Sequence, residues 1–203
     1  VSDSPGVGLA CPMPSIVQFR ALANTYKATS AVGADHWQAK FLSRLSDNRI
    51  SEVVVLMEAM MMTCVKPEQI DLLIVHLIPK GDTVGAVRPI GLFPTLVRLL
   101  DRWFRWNYGR AWSGKQSSTS FLGIKGQCIE KGMWRQTVLA EFSTLVGRAF
   151  ATLLLDIVKA FEAVSHRILI EQARAQGFHP GLLRWLVTLF QQPRSICYQG
   201  LLT

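Results

Sequence analysis

The sequence predicts an α+β protein. Helical and strand-like apolar patterns follow one another without the regular β–α alternation of a doubly wound sheet. One stretch, Leu96, Leu99, Leu100, Trp103 and Phe104, carries the spacing of an amphipathic helix. Two short β-branched or continuous apolar runs, Ile70–Ile78 and Phe150–Leu155, have strand length and are bounded by turn residues. At 203 residues and 49% hydrophobic composition, the chain suits one domain or one and a half, with ample material for a core.

Taken in order, residues 1–14 are rich in Gly, Pro and Ser and read as a linker. Residues 15–27 form a helix candidate. Asp35 suits the N-cap of a helix through Leu45, with Gln38 at the capping-box position. A further helix spans about Arg49–Cys64, where Met57, Met60, Met61 and Met62 look like adaptable core filler. Ile70–Ile78 and Val87–Leu92 suggest a hairpin across a turn-rich loop, with Pro89 restricting the second strand to an edge or a short strand. Pro94 opens a long helix. Another helix runs from about Cys128 to Gly147, and Phe150–Leu155 reads as a buried strand ending on Asp156. Ser165 caps a helix that stops at Gly177. Pro180 stands at the first position of the next helix, and Arg194–Gln199 begins a final strand.

Lys and Arg total 22 against 14 acids, a net charge of +8, spread along the chain rather than gathered in a tail. Such a charge suits a phosphate backbone as partner. In and after the helix that Pro94 opens, Arg98, Arg102, Arg105 and Arg110 lie among Trp103, Trp106, Tyr108 and Trp112. Basic residues interleaved with aromatics bind single strands, but core tryptophans with solvated arginines are the simpler reading. Cys11, Cys64, Cys128 and Cys197 have neither zinc nor redox spacing and read as reduced core thiols of an intracellular protein. No apolar run reaches the ~18 residues of a membrane span, so no membrane partner is expected. The histidines make no metal or triad pattern, and no nucleophile elbow is present.

Three features carry chemistry. Asp156, at the exit of a strand, either ligates magnesium, which takes one or two carboxylates plus water and phosphate oxygens, or caps the next helix. Phe161 follows five residues later across a turn whose backbone N–H groups can hold phosphate. Lys80 and Arg88 flank the hairpin loop and can clamp a triphosphate, Arg88 bidentately.

In order, these segments resemble the reverse transcriptase of non-LTR retrotransposons. Leu77-Ile-Pro-Lys80 and Arg88-Pro-Ile-Gly-Leu-Phe-Pro-Thr-Leu96 are similar to the family's fingers motif. Leu154-Leu-Asp-Ile-Val-Lys-Ala-Phe-Glu-Ala-Val-Ser-His166 is similar to palm motif A, "LDLSKAFDSVDH". Ile168–Arg194 and Lys27–Asp35 resemble the segments that follow motif A and precede the fingers. The resemblance covers nearly all of the chain after about residue 15.

It implies a right-hand polymerase: fingers and the start of the palm over 15–147, and a palm with motif A over 148–203, truncated before the palm is complete. It implies that Asp156 ligates two magnesium ions, with the Ile157 carbonyl facing one of them. Phe161 would be the steric gate against a ribose 2′-hydroxyl. Lys80 and Arg88 would contact the incoming deoxynucleoside triphosphate. The reaction would be two-metal nucleotidyl transfer on an RNA template and DNA primer, and nuclear action would follow.

The chain departs from the family at Ala86-Val87, where Asn-Tyr is usual, and at Glu162 and Ser165, where acids are usual. Residues 113–132 match poorly. There is no adjacent pair of aspartates, and Glu171 is the only acid after Glu162. Motifs B and C and the thumb are expected in downstream parts of the same polypeptide, so the 203-residue piece is expected to be inactive alone. The alternatives are a group II intron maturase, a non-catalytic RNA-binding descendant, and a helical domain with accidental matches.

Overall fold

The computed structural model describes residues 11–81, 86–116, 128–153 and 163–198, together with the backbone of 201–202. In chain order its elements are α1 (Ile16–Asn24), α2 (Ala39–Leu42), α3 (Asp47–Thr63), β1 (Leu73–Pro79), β2 (Val87–Leu92), α4 (Thr95–Phe104), α5 (Arg110–Gln116), α6 (Ile129–Leu145), α7 (His166–Ala175), α8 (Pro180–Phe190), β3 (Arg194–Tyr198) and β4 (Leu201–Leu202). The fold is α+β. The chain divides into two compact units, one of residues 1–107 with 177–203 and one of residues 108–176.

In the first unit α1 starts at a capping box. The Ser15 hydroxyl accepts the Gln18 N–H at 3.3 Å, and the Gln18 side chain accepts the Ser15 N–H at 2.9 Å. Phe19, Leu22 and Ala23 give α1 a buried face, which packs on α2, α3 and α4. The apolar stripe of α4 is buried as its spacing requires: Leu96, Leu99, Leu100, Trp103 and Phe104 all lie in the core, joined by Val97. Helix α8 begins with Pro180 at its first position, where a missing N–H is harmless, and it buries Leu182, Leu183, Trp185 and Leu189. It packs against α3.

Four strands form a mixed sheet in the order β2-β1-β3-β4. β1 is antiparallel to β2 and parallel to β3, and β3 is antiparallel to β4. Pro89 lies on β2, an edge strand, as its lack of a donor demands. The turn into β1 is held by Lys66, whose side chain is only 3% exposed and whose ammonium lies 2.9 Å from the Asp71 carboxylate.

In the second unit Ser165 caps α7 by accepting the Ile168 N–H at 3.5 Å. The helix ends at Gln176 and Gly177, where Gly177 takes φ +67, a conformation open to glycine at little cost. Helix α6 buries none of its residues. Trp134, Phe142 and Leu145 are all exposed.

Several expectations are corrected. The helix expected from Asp35 to Leu45 is a single turn, Ala39–Leu42, because Asp35 is engaged elsewhere. Met57, Met60 and Met61 are buried, but Met62 points to solvent; the helix repeat carries it past the buried face. The expected strand does not appear over 150–153: Phe150 and Leu153 are exposed, and no strand among the described residues pairs with this run. A strand without a neighbour leaves its backbone groups without partners, so the apolar composition does not suffice. All four cysteines are free thiols, but only Cys11 is buried.

The Lys66–Asp71 pair yields a stability test. Asp71→Asn leaves a buried cation without its counter-charge and is expected to lower stability by ~1–3 kcal/mol, with Asp71's partial exposure reducing the loss. Lys66→Met removes that cation and is expected to change stability by less than about 1 kcal/mol. Urea unfolding midpoints of the two variants check the contrast.

Candidate functional site

The site is built where two distant stretches meet. Helix α4 has Pro94 at its N-cap, which offers no side-chain acceptor to the first-turn N–H groups. Asp35 supplies one: its Oδ2 accepts the Thr95 N–H at 2.6 Å. An anion at a helix N-terminus is also favoured by the helix dipole. The fully buried Thr95 hydroxyl donates to the Trp37 carbonyl at 2.6 Å. Gly33 closes the contact. A Cβ there would stand 2.6 Å from the Phe93 carbonyl oxygen, so no larger residue lets the strands of chain approach this closely. The capping role of Asp35 was legible in the sequence, but its helix was not: it caps one 60 residues away.

This clasp holds the end of β2, and the hairpin extends from it. Pairing runs from Ile74↔Leu92 to Pro79↔Val87. The Lys80 N–H then donates to the Ala86 carbonyl at 2.8 Å, one rung further. Hydrogen-bonded and non-hydrogen-bonded rungs alternate in an antiparallel pair. The rungs Pro79↔Val87 and Leu77↔Pro89 are therefore non-hydrogen-bonded, and neither proline costs a ladder bond between β1 and β2.

The same register decides where the two cations stand. Arg88 lies opposite Ile78, and Lys80 opposite Ala86. Opposed residues share a face, and so do residues two apart along a strand. Lys80 and Arg88 are therefore diagonal neighbours on one face, with Cα atoms roughly 7–8 Å apart for such a pair. Both are exposed. Neither has an acidic partner among the described residues. An anion that spans two charged groups, such as a di- or triphosphate, fits this pair. Asp156, Ile157 and Phe161 lie outside the described residues, and among the described residues no three His, Cys, Asp or Glu converge as metal ligands.

The arginine–aromatic stretch of α4 has a structural role at its first half. Arg98 and Arg102 stack over the Tyr26 ring, at 5.1 and 3.6 Å from its centre. The Tyr26 hydroxyl donates to the Arg98 carbonyl at 2.9 Å, and Arg102 donates to the Thr25 hydroxyl at 2.6 Å. Burial pushes the Tyr26 hydroxyl pKa up, against the pull of the two guanidiniums. Trp103 is buried and donates to the Pro12 carbonyl at 2.8 Å. Arg98 and Arg102 are half-buried and tie the segment just past α1 to α4, while Arg105 and Arg110 are exposed as expected.

In the second unit a cavity of about 510 Å³ is lined by Trp112, Val164, Ser165, Ile168, Leu169 and Gln172 among others. Among the described residues its walls carry no titratable side chain.

No protein-family model matches the chain. Over 110 residues, 54% of the chain, the sequence is 26% identical to a retrovirus-related Pol polyprotein from the type-1 retrotransposable element R2 of Bradysia coprophila. The match spans 12% of that polyprotein's length. This similarity supports a retrotransposon-related origin for the chain.

The clasp can be tested directly. Asp35→Ala removes the cap of α4 and is expected to cost ~1–2 kcal/mol. Gly33→Ala forces the backbone at Phe93 to shift and is expected to cost ~1–3 kcal/mol. Because the two act on one contact, the double variant is expected to lose less than the sum of the single losses. Equilibrium urea unfolding measures all three.

Proposed function

We propose that this chain is part of an RNA-directed DNA polymerase and supplies its fingers and the first half of its palm. The observation that carries this reading is the pair Lys80 and Arg88 on one face of the β1–β2 hairpin. They belong to the segments that resemble a reverse-transcriptase fingers motif, and the retrotransposon Pol polyprotein similarity is consistent with the same origin.

In this reading Lys80 and Arg88 receive the triphosphate of an incoming deoxynucleotide. Lys80 acts as a point charge, while the planar Arg88 guanidinium donates two parallel hydrogen bonds to one phosphate. The two residues orient the nucleotide and offset its charge as it approaches the primer end. Phe161 excludes a ribose 2′-hydroxyl, and Asp156 with the Ile157 carbonyl would hold magnesium, which supplies the charge stabilisation of phosphoryl transfer when bound. With no adjacent aspartate pair in these 203 residues, the chain by itself lacks the second carboxylate cluster of a two-metal site. Lys80 and Arg88 therefore serve binding, and synthesis needs further palm.

The purified chain is expected to show no magnesium-dependent primer extension on an RNA template. It is expected to bind a fluorescent deoxynucleoside triphosphate. Lys80→Ala and Arg88→Ala should each weaken that binding roughly tenfold, the scale of one charge-assisted hydrogen bond. Arg88→Lys should recover only part, because an ammonium cannot make the bidentate contact. Unaltered triphosphate binding in both alanine variants, or robust extension by the chain alone, overturns the proposal.

A further inference from the structure

Helix α2 is one turn long, and its inner side is buried through Ala39, Leu42 and Ser43. Its outer side is unusual. Trp37, at the helix entry, is 49% exposed and Phe41 is 50% exposed. The Arg44 guanidinium lies over the Phe41 ring, 5.4 Å from its centre. Half-exposed aromatics occur singly on any surface, but here two stand four residues apart beside a stacked guanidinium.

Trp37 is also held in place. Its N–H donates to Asp35 Oδ1 at 3.3 Å, and its carbonyl accepts the Thr95 hydroxyl at 2.6 Å. The preceding His36 takes φ 52, a left-handed conformation that few non-glycine residues adopt. Both backbone polar groups of Trp37 are thus locked into the clasp while its indole remains half in solvent. A rigidly presented aromatic loses little freedom on contact with a ligand.

The charge around these rings has one sign. Residues 36–46 include His36, Lys40 and Arg44 and no acid. The neighbouring acids are occupied: Asp35 is turned into the clasp, and Asp47 pairs with Arg20. An apolar protein partner would gain nothing from uncompensated cations. A membrane surface would call for a broader apolar face than two rings. A single-stranded nucleic acid matches both features, since its bases stack on aromatic faces and its phosphates meet the cations.

We propose that Trp37, Phe41 and Arg44 form a stacking subsite for unpaired bases of a single-stranded nucleic acid. Lys40 and Arg44 meet its backbone phosphates. The subsite is separate from Lys80 and Arg88 and does not depend on nucleotidyl transfer.

The test is a fluorescence-anisotropy titration of a labelled 12-nucleotide single-stranded RNA with the 203-residue chain at several salt concentrations. Trp37→Ala and Phe41→Ala are each expected to weaken binding about tenfold without altering the salt slope, because stacking releases no counterions. Trp37→Tyr should restore most of the affinity. Arg44→Gln should weaken binding and reduce the salt slope by about one. Circular dichroism identifies any variant that fails to fold, and Phe41→Ala, whose backbone lies outside the clasp, keeps the test decisive if Trp37→Ala does so. Wild-type affinity in a folded Phe41→Ala and Trp37→Tyr pair together with folded Trp37→Ala overturns the subsite. So does burial of the strip by self-association in sedimentation, with RNA binding unaffected by any of the four substitutions. Loss of triphosphate binding in the Lys80 and Arg88 variants reports on the polymerase reading alone, so the two proposals fail separately.

Discussion

The carboxylate of Asp35 at the N-terminus of α4 is the interaction on which the first unit depends. Proline at the N-cap leaves the opening N–H groups of that helix without a local acceptor. A carboxylate from far along the chain fills the role at 2.6 Å. One contact thereby orients three things: the start of the helix that carries most of the core stripe, the end of the strand that carries Arg88, and the backbone of Trp37. Gly33 permits it by lacking a side chain where the Phe93 carbonyl passes. Neither residue contributes chemistry, yet both determine where chemistry-bearing residues stand.

The net charge of +8 does not act as one field. Part of it is built into the fold. Arg98 and Arg102 cover Tyr26, Arg20 bridges Asp47 and the Ser43 carbonyl, and Lys66 is buried against Asp71. These cations are already engaged in contacts within the fold. Lys80, Arg88, Lys40 and Arg44 have no carboxylate partner among the described residues. A reading based on charge alone counts both groups equally, whereas the second can meet a polyanion without first breaking an ion pair.

Helix α6 presents the opposite case. Its apolar residues are scattered among Glu130, Lys131, Arg135 and Glu141 rather than gathered on one face, and it buries none of its residues among the described ones. Within its own unit, α7 by contrast has one charged side, where Arg167 and Glu171 pair at 2.7 Å, and one side lining the apolar cavity through Ile168, Leu169 and Gln172.

By itself the sequence determined what depends on near neighbours. The α+β class, the buried stripe of α4, the Ser165 and Pro180 helix starts, the glycine stop at Gly177 and the edge position of Pro89 all follow from periodicity, caps and turns within a few residues. It also supplied Lys80 and Arg88 as candidates. Tertiary structure decided what depends on distant partners. The local pattern put Asp35 at the head of its own helix, but a better acceptor-poor terminus 60 residues on took its carboxylate, leaving α2 one turn long. Of the arginines among the tryptophans, Arg105 and Arg110 are exposed as read, but Arg98 and Arg102 lie over Tyr26, which the chain brings in from just past α1. Residues 150–153 have the composition of a strand but no strand beside them among the described residues, and a strand exists only through its neighbour. Whether Lys80 and Arg88 share a face was likewise undecided until the pairing register was known, because a slip of one residue sends one of them to the opposite side.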